Sequence, residues 1–224
     1  MWVFLFDIDG TLLSTGGAGM AALRAAMQEE FGVAEPQEVP VSGRTDRGIA
    51  RQLFAAHAMD DTEEHWQRFR NAYLRHLQQQ LPQRVGRVLP GVESLLAALA
   101  SVDHARLGLL TGNVRAGADL KLGHYGLASY FAFGGFGDRH ADRNAVAAEA
   151  LTASRQHVTF PVESARVWVI GDTPLDVACA RSIGARSVAV ATGTFSRGEL
   201  APSEPDLLLD DLSDTAYLRQ ALLS

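Results

Sequence analysis

Asp7 and Asp9 stand one residue apart at the end of an apolar run, Trp2-Val3-Phe4-Leu5-Phe6, and are followed by Gly10, Thr11 and Leu12. Five large apolar residues in a row fit a strand buried on both faces. The end of such a strand is where open α/β sheets place their ligands. In extended geometry the two carboxylates share one face, and Gly10 permits a sharp exit of the backbone. Two anions held that close repel and call for a cation between them. The donors on offer are oxygens, so a hard dication such as Mg2+ is the natural partner. The competing reading, a solvated strand end and a turn, is disfavoured by the position of the acids directly behind the strand.

Three further segments put polar residues behind apolar runs. Gly108-Leu109-Leu110 leads into Thr111-Gly112-Asn113. A hydroxyl and open backbone N–H groups there suit an anion, and a threonine at that place equally suits a helix cap. Val167-Trp168-Val169-Ile170 leads into Gly171-Asp172-Thr173-Pro174-Leu175-Asp176. Pro174 fits a first helical turn, and Asp172 and Asp176 are spaced to face the same way. Taken alone, Asp172 could cap that helix and Asp176 favour its dipole. The last segment, residues 134–143, is glycine-rich and ends in Asp142-Arg143. Its glycines lack the placement of a dinucleotide loop. Arg143 or Arg139 could supply a fixed positive charge to a bound phosphate.

These residues need a scaffold that brings them together. Apolar, strand-like runs occur at 2–6, 106–110, 130–133, 166–170, 187–191 and 206–209, with helical patterns at 92–100, 144–153 and 174–183. Alternation of strand and helix implies a parallel sheet in an α/β fold. The rhythm breaks between Ser14 and Gly86, where Met20, Leu23, Met27 and Phe31, then Ile49, Leu53 and Ala56, then Trp66, Phe69, Tyr73, Leu74 and Leu77 follow helical spacing. The division expected is a core of residues 1–14 and 87–224 around a helical insert at 15–86, with hinges near 14–19 and 82–90.

Composition narrows the function. The chain has 224 residues, 47% of them apolar, enough for a core domain with a smaller one. The formal charge of -6, without a basic block, disfavours nucleic acid or a membrane surface as partner. Cys179 is the sole cysteine, which excludes an intramolecular disulfide and a thiolate cluster. The seven histidines lack metal-ligand spacing. The first apolar run breaks at Asp7, too early for a signal peptide or a membrane span. A cytoplasmic monomer or homodimer is expected.

Asp7-Ile8-Asp9-Gly10-Thr11, then Thr111, a basic residue and Gly171-Asp172-x-x-x-Asp176 occur in the order found in the haloacid dehalogenase-like (HAD) hydrolase superfamily. The resemblance spans essentially the whole chain, and the helical insert is similar to that superfamily's alpha-helical cap. The layout resembles the phosphoglycolate phosphatase and β-phosphoglucomutase branch. The resemblance implies a Rossmann-like core and a Mg2+-dependent phosphatase acting on a small phosphorylated metabolite, such as phosphoglycolate. A phosphomutase, or a binding protein that keeps the fold without turnover, are the alternatives. It implies Asp7 as nucleophile and Asp9 as general acid and base, protonating the leaving oxygen and then activating water, the latter with a raised pKa in a drier site. Thr111, with Gly112 and Asn113, would bind the phosphoryl group. Arg143 would stand where a lysine is usual, with Arg139 as competitor. Mg2+ would be held by Asp7, the Asp9 carbonyl and Asp172, supported by Asp176. True dehalogenases of the superfamily lack an acid at the place of Asp9, which favours phosphoryl transfer. Gly43-Arg44-Thr45-Asp46 resembles a cap segment that faces the active site, so Arg44 would meet the substrate's leaving group. An exposed arginine beside a helix cap is the other reading.

Overall fold

The computed structural model describes residues 1–158 and 162–224. Its strands are β1 (Trp2–Phe6), β2 (Leu13–Ser14), β3 (Arg87–Val88), β4 (Ala105–Leu110), β5 (Gly134–Gly135), β6 (Val167–Gly171), β7 (Arg186–Val190) and β8 (Leu207–Leu209). The helices are α1 (Ala18–Phe31), α2 (Asp46–Ala56), α3 (Glu63–Gln80), α4 (Val92–Ala100), α5 (Arg115–His124), α6 (Arg143–His157), α7 (Pro174–Ser182), α8 (Arg197–Leu200) and α9 (Thr215–Leu222). Six strands form one parallel sheet in the order β5-β4-β1-β6-β7-β8. This is the Rossmann-like α/β architecture that the strand–helix alternation implies.

β1 is central and wholly buried because both of its faces are apolar. Phe4 and Phe6 pack with Leu95, Leu96 and Leu99 of α4 and Leu218 and Leu222 of α9. Val3 and Leu5 point the other way, to Val146, Ala147 and Ala150 of α6 and Cys179 and Ala180 of α7. The period-two alternation of a strand thus fills two cores at once. β4 and β6 flank β1, and their chain connections leave on opposite sides. That is a topological switch point, and a crevice opens at the carboxyl end of β1. No helix among the described residues is long and apolar enough to cross a membrane.

Two departures from the sequence-based expectation stand out. The aromatic run at 130–133 is not a strand. Tyr130 closes a single 3-10 turn, and the edge strand is the glycine pair that follows, paired to Leu109 and Leu110. A Cβ on Gly135 would run into the α6 backbone at Val146, so close packing of helix on strand excludes the larger residues that usually betray a strand. The second departure lies at the base of the insert, where β2 and β3 pair antiparallel across the two connecting segments. The three insert helices share a cluster centred on Met27, Leu53, Phe54, Phe69 and Leu77, which also takes in Val114 at the start of α5. Their ends are read locally: Thr45 and Thr62 accept the backbone N–H groups of Gly48 and His65, and Gly32 ends α1 in the left-handed region.

Leu96 is fully buried under the sheet. Leu96→Ala is expected to lower stability by about 2–5 kcal/mol with an unchanged denaturant slope, measured by urea unfolding. A loss below about 1 kcal/mol would mean that this face is not the core.

Candidate active site

Each strand end at the crevice contributes one loop. The Asp7 backbone N–H donates to the Ile170 carbonyl at 2.9 Å, carrying the β1–β6 pairing one residue past the strand. β6 then delivers Asp172. Its carboxylate fits only because both neighbours lack side chains. A Cβ on Gly10 (φ 84) or on Gly193 would overlap the Asp172 carboxyl group. Thr11 Oγ1 donates to Asp172 Oδ1 at 3.1 Å. Thr173, not Asp172, sits at the α7 N-cap, and Asp176 closes the capping box by accepting from the Thr173 N–H at 3.0 Å and its hydroxyl at 2.7 Å.

Asp7, Asp172 and Asp176 are buried, and each offers an oxygen within 4.8 Å of the others. Arg143 is also buried, at the start of α6, with its guanidinium 3.1 Å from Asp7 and 2.6 Å from Asp176. Arg139 is exposed and faces a separate cleft, so the fixed positive charge beside the carboxylates is Arg143. Burial raises Asp7 to about 6, with Arg143 opposing and Asp176 adding to the rise. Burial, then Asp176 and Asp7, raise Asp172 to about 8. Burial disfavours the Arg143 charge, but Asp176 and Asp7 outweigh it and hold its pKa above the ordinary arginine value. Three buried carboxylates against one buried cation leave negative charge uncompensated. An all-oxygen donor set of this kind fits Mg2+.

Asp9 lies apart from that cluster. Its carboxylate accepts from Lys121 Nζ at 2.5 Å and from Asn113 Nδ2 at 2.8 Å. Its side chain is 43% exposed, so the dry environment expected for it falls instead on Asp7 and Asp172. Lys121 is buried on α5 and belongs to none of the sequence motifs. It reaches Asn113 Oδ1 at 2.6 Å as well, making a polar triangle with Asp9. Thr111 is fully buried and its hydroxyl accepts from the Asn113 side chain at 2.8 Å. Gly112 and Asn113 line the crevice, whereas Thr111 lies behind them.

The insert roofs the crevice. The Asp46 N–H donates to the Gly112 carbonyl at 2.7 Å, and Asp46 Oδ2 accepts from the Val114 N–H at 2.8 Å. Burial raises Asp46 to about 6, with Lys121 opposing. The Ser42 and Thr194 hydroxyls meet at 3.2 Å. The result is a cavity of about 410 Å3 shared by Asp7, Asp9, Arg143, Asp172, Lys121 and Arg44. Arg44 is exposed, lines that cavity and pairs with no carboxylate among the described residues, while Thr45 beside it caps α2. Cys179 lies buried on α7, its thiol pushed up to about 12 by burial.

The sequence profile described as haloacid dehalogenase-like hydrolase matches residues 4–181. A protein of Dickeya dadantii named probable phosphatase IndB is 28% identical over 98% of this chain and 94% of its own length. A phosphoglycolate phosphatase of Rhodospirillum rubrum is 30% identical over 93% of this chain and 87% of its own. Among solved structures, a hydrolase from Pseudomonas syringae superposes with a TM-score of 0.72 at 21% identity, covering 99% of both chains, which speaks to the fold.

The raised carboxyls give a pH signature. An acid whose folded pKa exceeds its unfolded value, 3.8 for aspartate here, stabilises the fold at low pH, and that contribution is lost as pH rises through about 6 for Asp7 and about 8 for Asp172. EDTA-treated protein is therefore expected to melt at lower temperature at pH 8 than at pH 6. Added Mg2+ is expected to raise the melting temperature more at pH 8. An equal or smaller rise at pH 8 in thermal scans would contradict this electrostatic account.

Proposed function

The chain belongs to the haloacid dehalogenase-like hydrolases and is an enzyme of the phosphatase kind, and we propose that it hydrolyses a small phosphate monoester through an aspartyl-phosphate on Asp7. The observation that carries this reading is the buried Asp7 carboxylate, beside Arg143 and within one cluster with Asp172 and Asp176, at the floor of the cavity that also holds Asp9. The relatives named phosphoglycolate phosphatase favour a phosphate monoester that carries a second anionic group.

An Asp7 oxygen attacks phosphorus, and the bond to the leaving alcohol breaks. Asp9 donates a proton to that alcohol oxygen. Asp9 then takes a proton from water as the water oxygen attacks the phosphorus of the aspartyl-phosphate, which frees phosphate and restores the Asp7 carboxylate. Lys121 and Asn113 orient Asp9 for both transfers. Arg143 cannot give up its proton near neutral pH, so it acts by charge, balancing Asp7 and the phosphoryl oxygens. Asp7, Asp172 and the Asp9 carbonyl would hold Mg2+, with Asp176 in support, and the ion when bound would neutralise the charge that otherwise keeps a phosphate dianion from a carboxylate.

Residues 15–86 act in this reading as a cap on a core of 1–14 and 87–224. The Asp46–Gly112 and Ser42–Thr194 contacts hold the cap down during chemistry and exclude bulk water, and their release admits substrate.

Asp7→Asn is expected to lower kcat on an aryl phosphate by at least about a thousandfold while leaving the fold intact. Near-normal turnover in that variant would rule the nucleophile out. Inorganic phosphate, not an isomerised sugar phosphate, is the expected product.

A further inference from the structure

The cavity is larger than a phosphoryl group requires, and part of its wall is apolar. At about 410 Å3 it falls in the range of about 300–1,000 Å3 that accommodates drug-sized ligands. A two-carbon acid phosphate would leave much of it empty. The side toward the insert is walled by Leu13, Met20, Leu23, Val41, Ile49 and Tyr73. Met20 is 37% exposed, the kind of soft, solvent-facing apolar residue that adapts to a bound hydrocarbon.

That wall does not end at the cavity. Met20, Leu23 and Val41 also line a second cleft of about 250 Å3, whose remaining apolar residues are Pro36, Val39 and Leu53. The same three side chains border both spaces. Among the cations of the first cavity, Arg143 is committed to Asp7 and Asp176, and Lys121 to Asp9. Arg44 is left without a carboxylate among the described residues.

We propose that the substrate is a phosphate monoester whose alcohol carries a hydrocarbon segment, seated against the Met20–Leu23–Val41 wall and running toward the second cleft, with a carboxylate or other anionic group for Arg44. The inference rests on the phosphatase reading and names the class of substrate for that same site. An apolar segment gains by burial against this wall.

The test is kcat/KM for ethyl, butyl and hexyl phosphate at saturating Mg2+, with an aryl phosphate as reference. Primary alkyl alcohols are leaving groups of nearly equal basicity, so the series isolates binding of the chain. A gain of up to about fourfold per methylene is expected at full burial, and at least about tenfold from ethyl to hexyl. Met20→Gln, at a half-exposed position that folding tolerates, is expected to lower the hexyl-to-ethyl ratio. A flat, falling or absent alkyl series with turnover of the aryl phosphate would overturn the inference and leave the phosphatase reading standing. An unchanged ratio in Met20→Gln would overturn the wall assignment. Failure to hydrolyse any of the four esters would overturn both readings.

Discussion

Mutual repulsion among three buried carboxylates is the constraint around which this protein is organised. Asp7, Asp172 and Asp176 are all removed from water, and among the described residues only Arg143 stands beside them as a buried cation. Burial of one such charge is already costly, and burial of three is tolerated only where positive charge can be recruited. The cluster stores a demand for a cation and for nothing bulkier, since glycines at 10 and 193 bring their backbones against Asp172. The raised Asp7 and Asp172 pKa values express that demand in protons.

The sheet converts this local electrostatic problem into a site. β1 is held between β4 and β6, so residues distant in the chain end at one edge. The same edge is a poor place for large side chains, and the polar loops there carry the functional groups. The insert closes the space above with backbone and carboxylate bonds from Asp46, and Leu74 and Leu77 of α3 pack beside them against Val114 and Gly117.

Much of this is legible in the chain itself. Asp7, Asp9 and Asp172 announce themselves because each follows an apolar run that stops abruptly. Arg143 and Arg139 are equivalent as letters. They separate only when α6 begins at Arg143 and turns it inward, while Arg139 stays on a loop. Lys121 carries no local signal, because its partner Asp9 lies 112 positions away and α5 has no strong apolar face to frame it. β5 is invisible for the opposite reason. Its residues are selected by the closeness of α6, which removes the side chains that strand patterns depend on. What the chain conceals is therefore long-range pairing and close approach, while strand ends and helix caps are written locally.

The most direct test of this account is calorimetric titration of Mg2+ into EDTA-treated protein, wild type beside Asp172→Asn, at pH 8. One binding event is expected for the wild type, weakened at least about tenfold by removal of the Asp172 charge. Binding of equal strength in both proteins would show that the buried carboxylates do not hold the ion, and the electrostatic foundation of the site would fall.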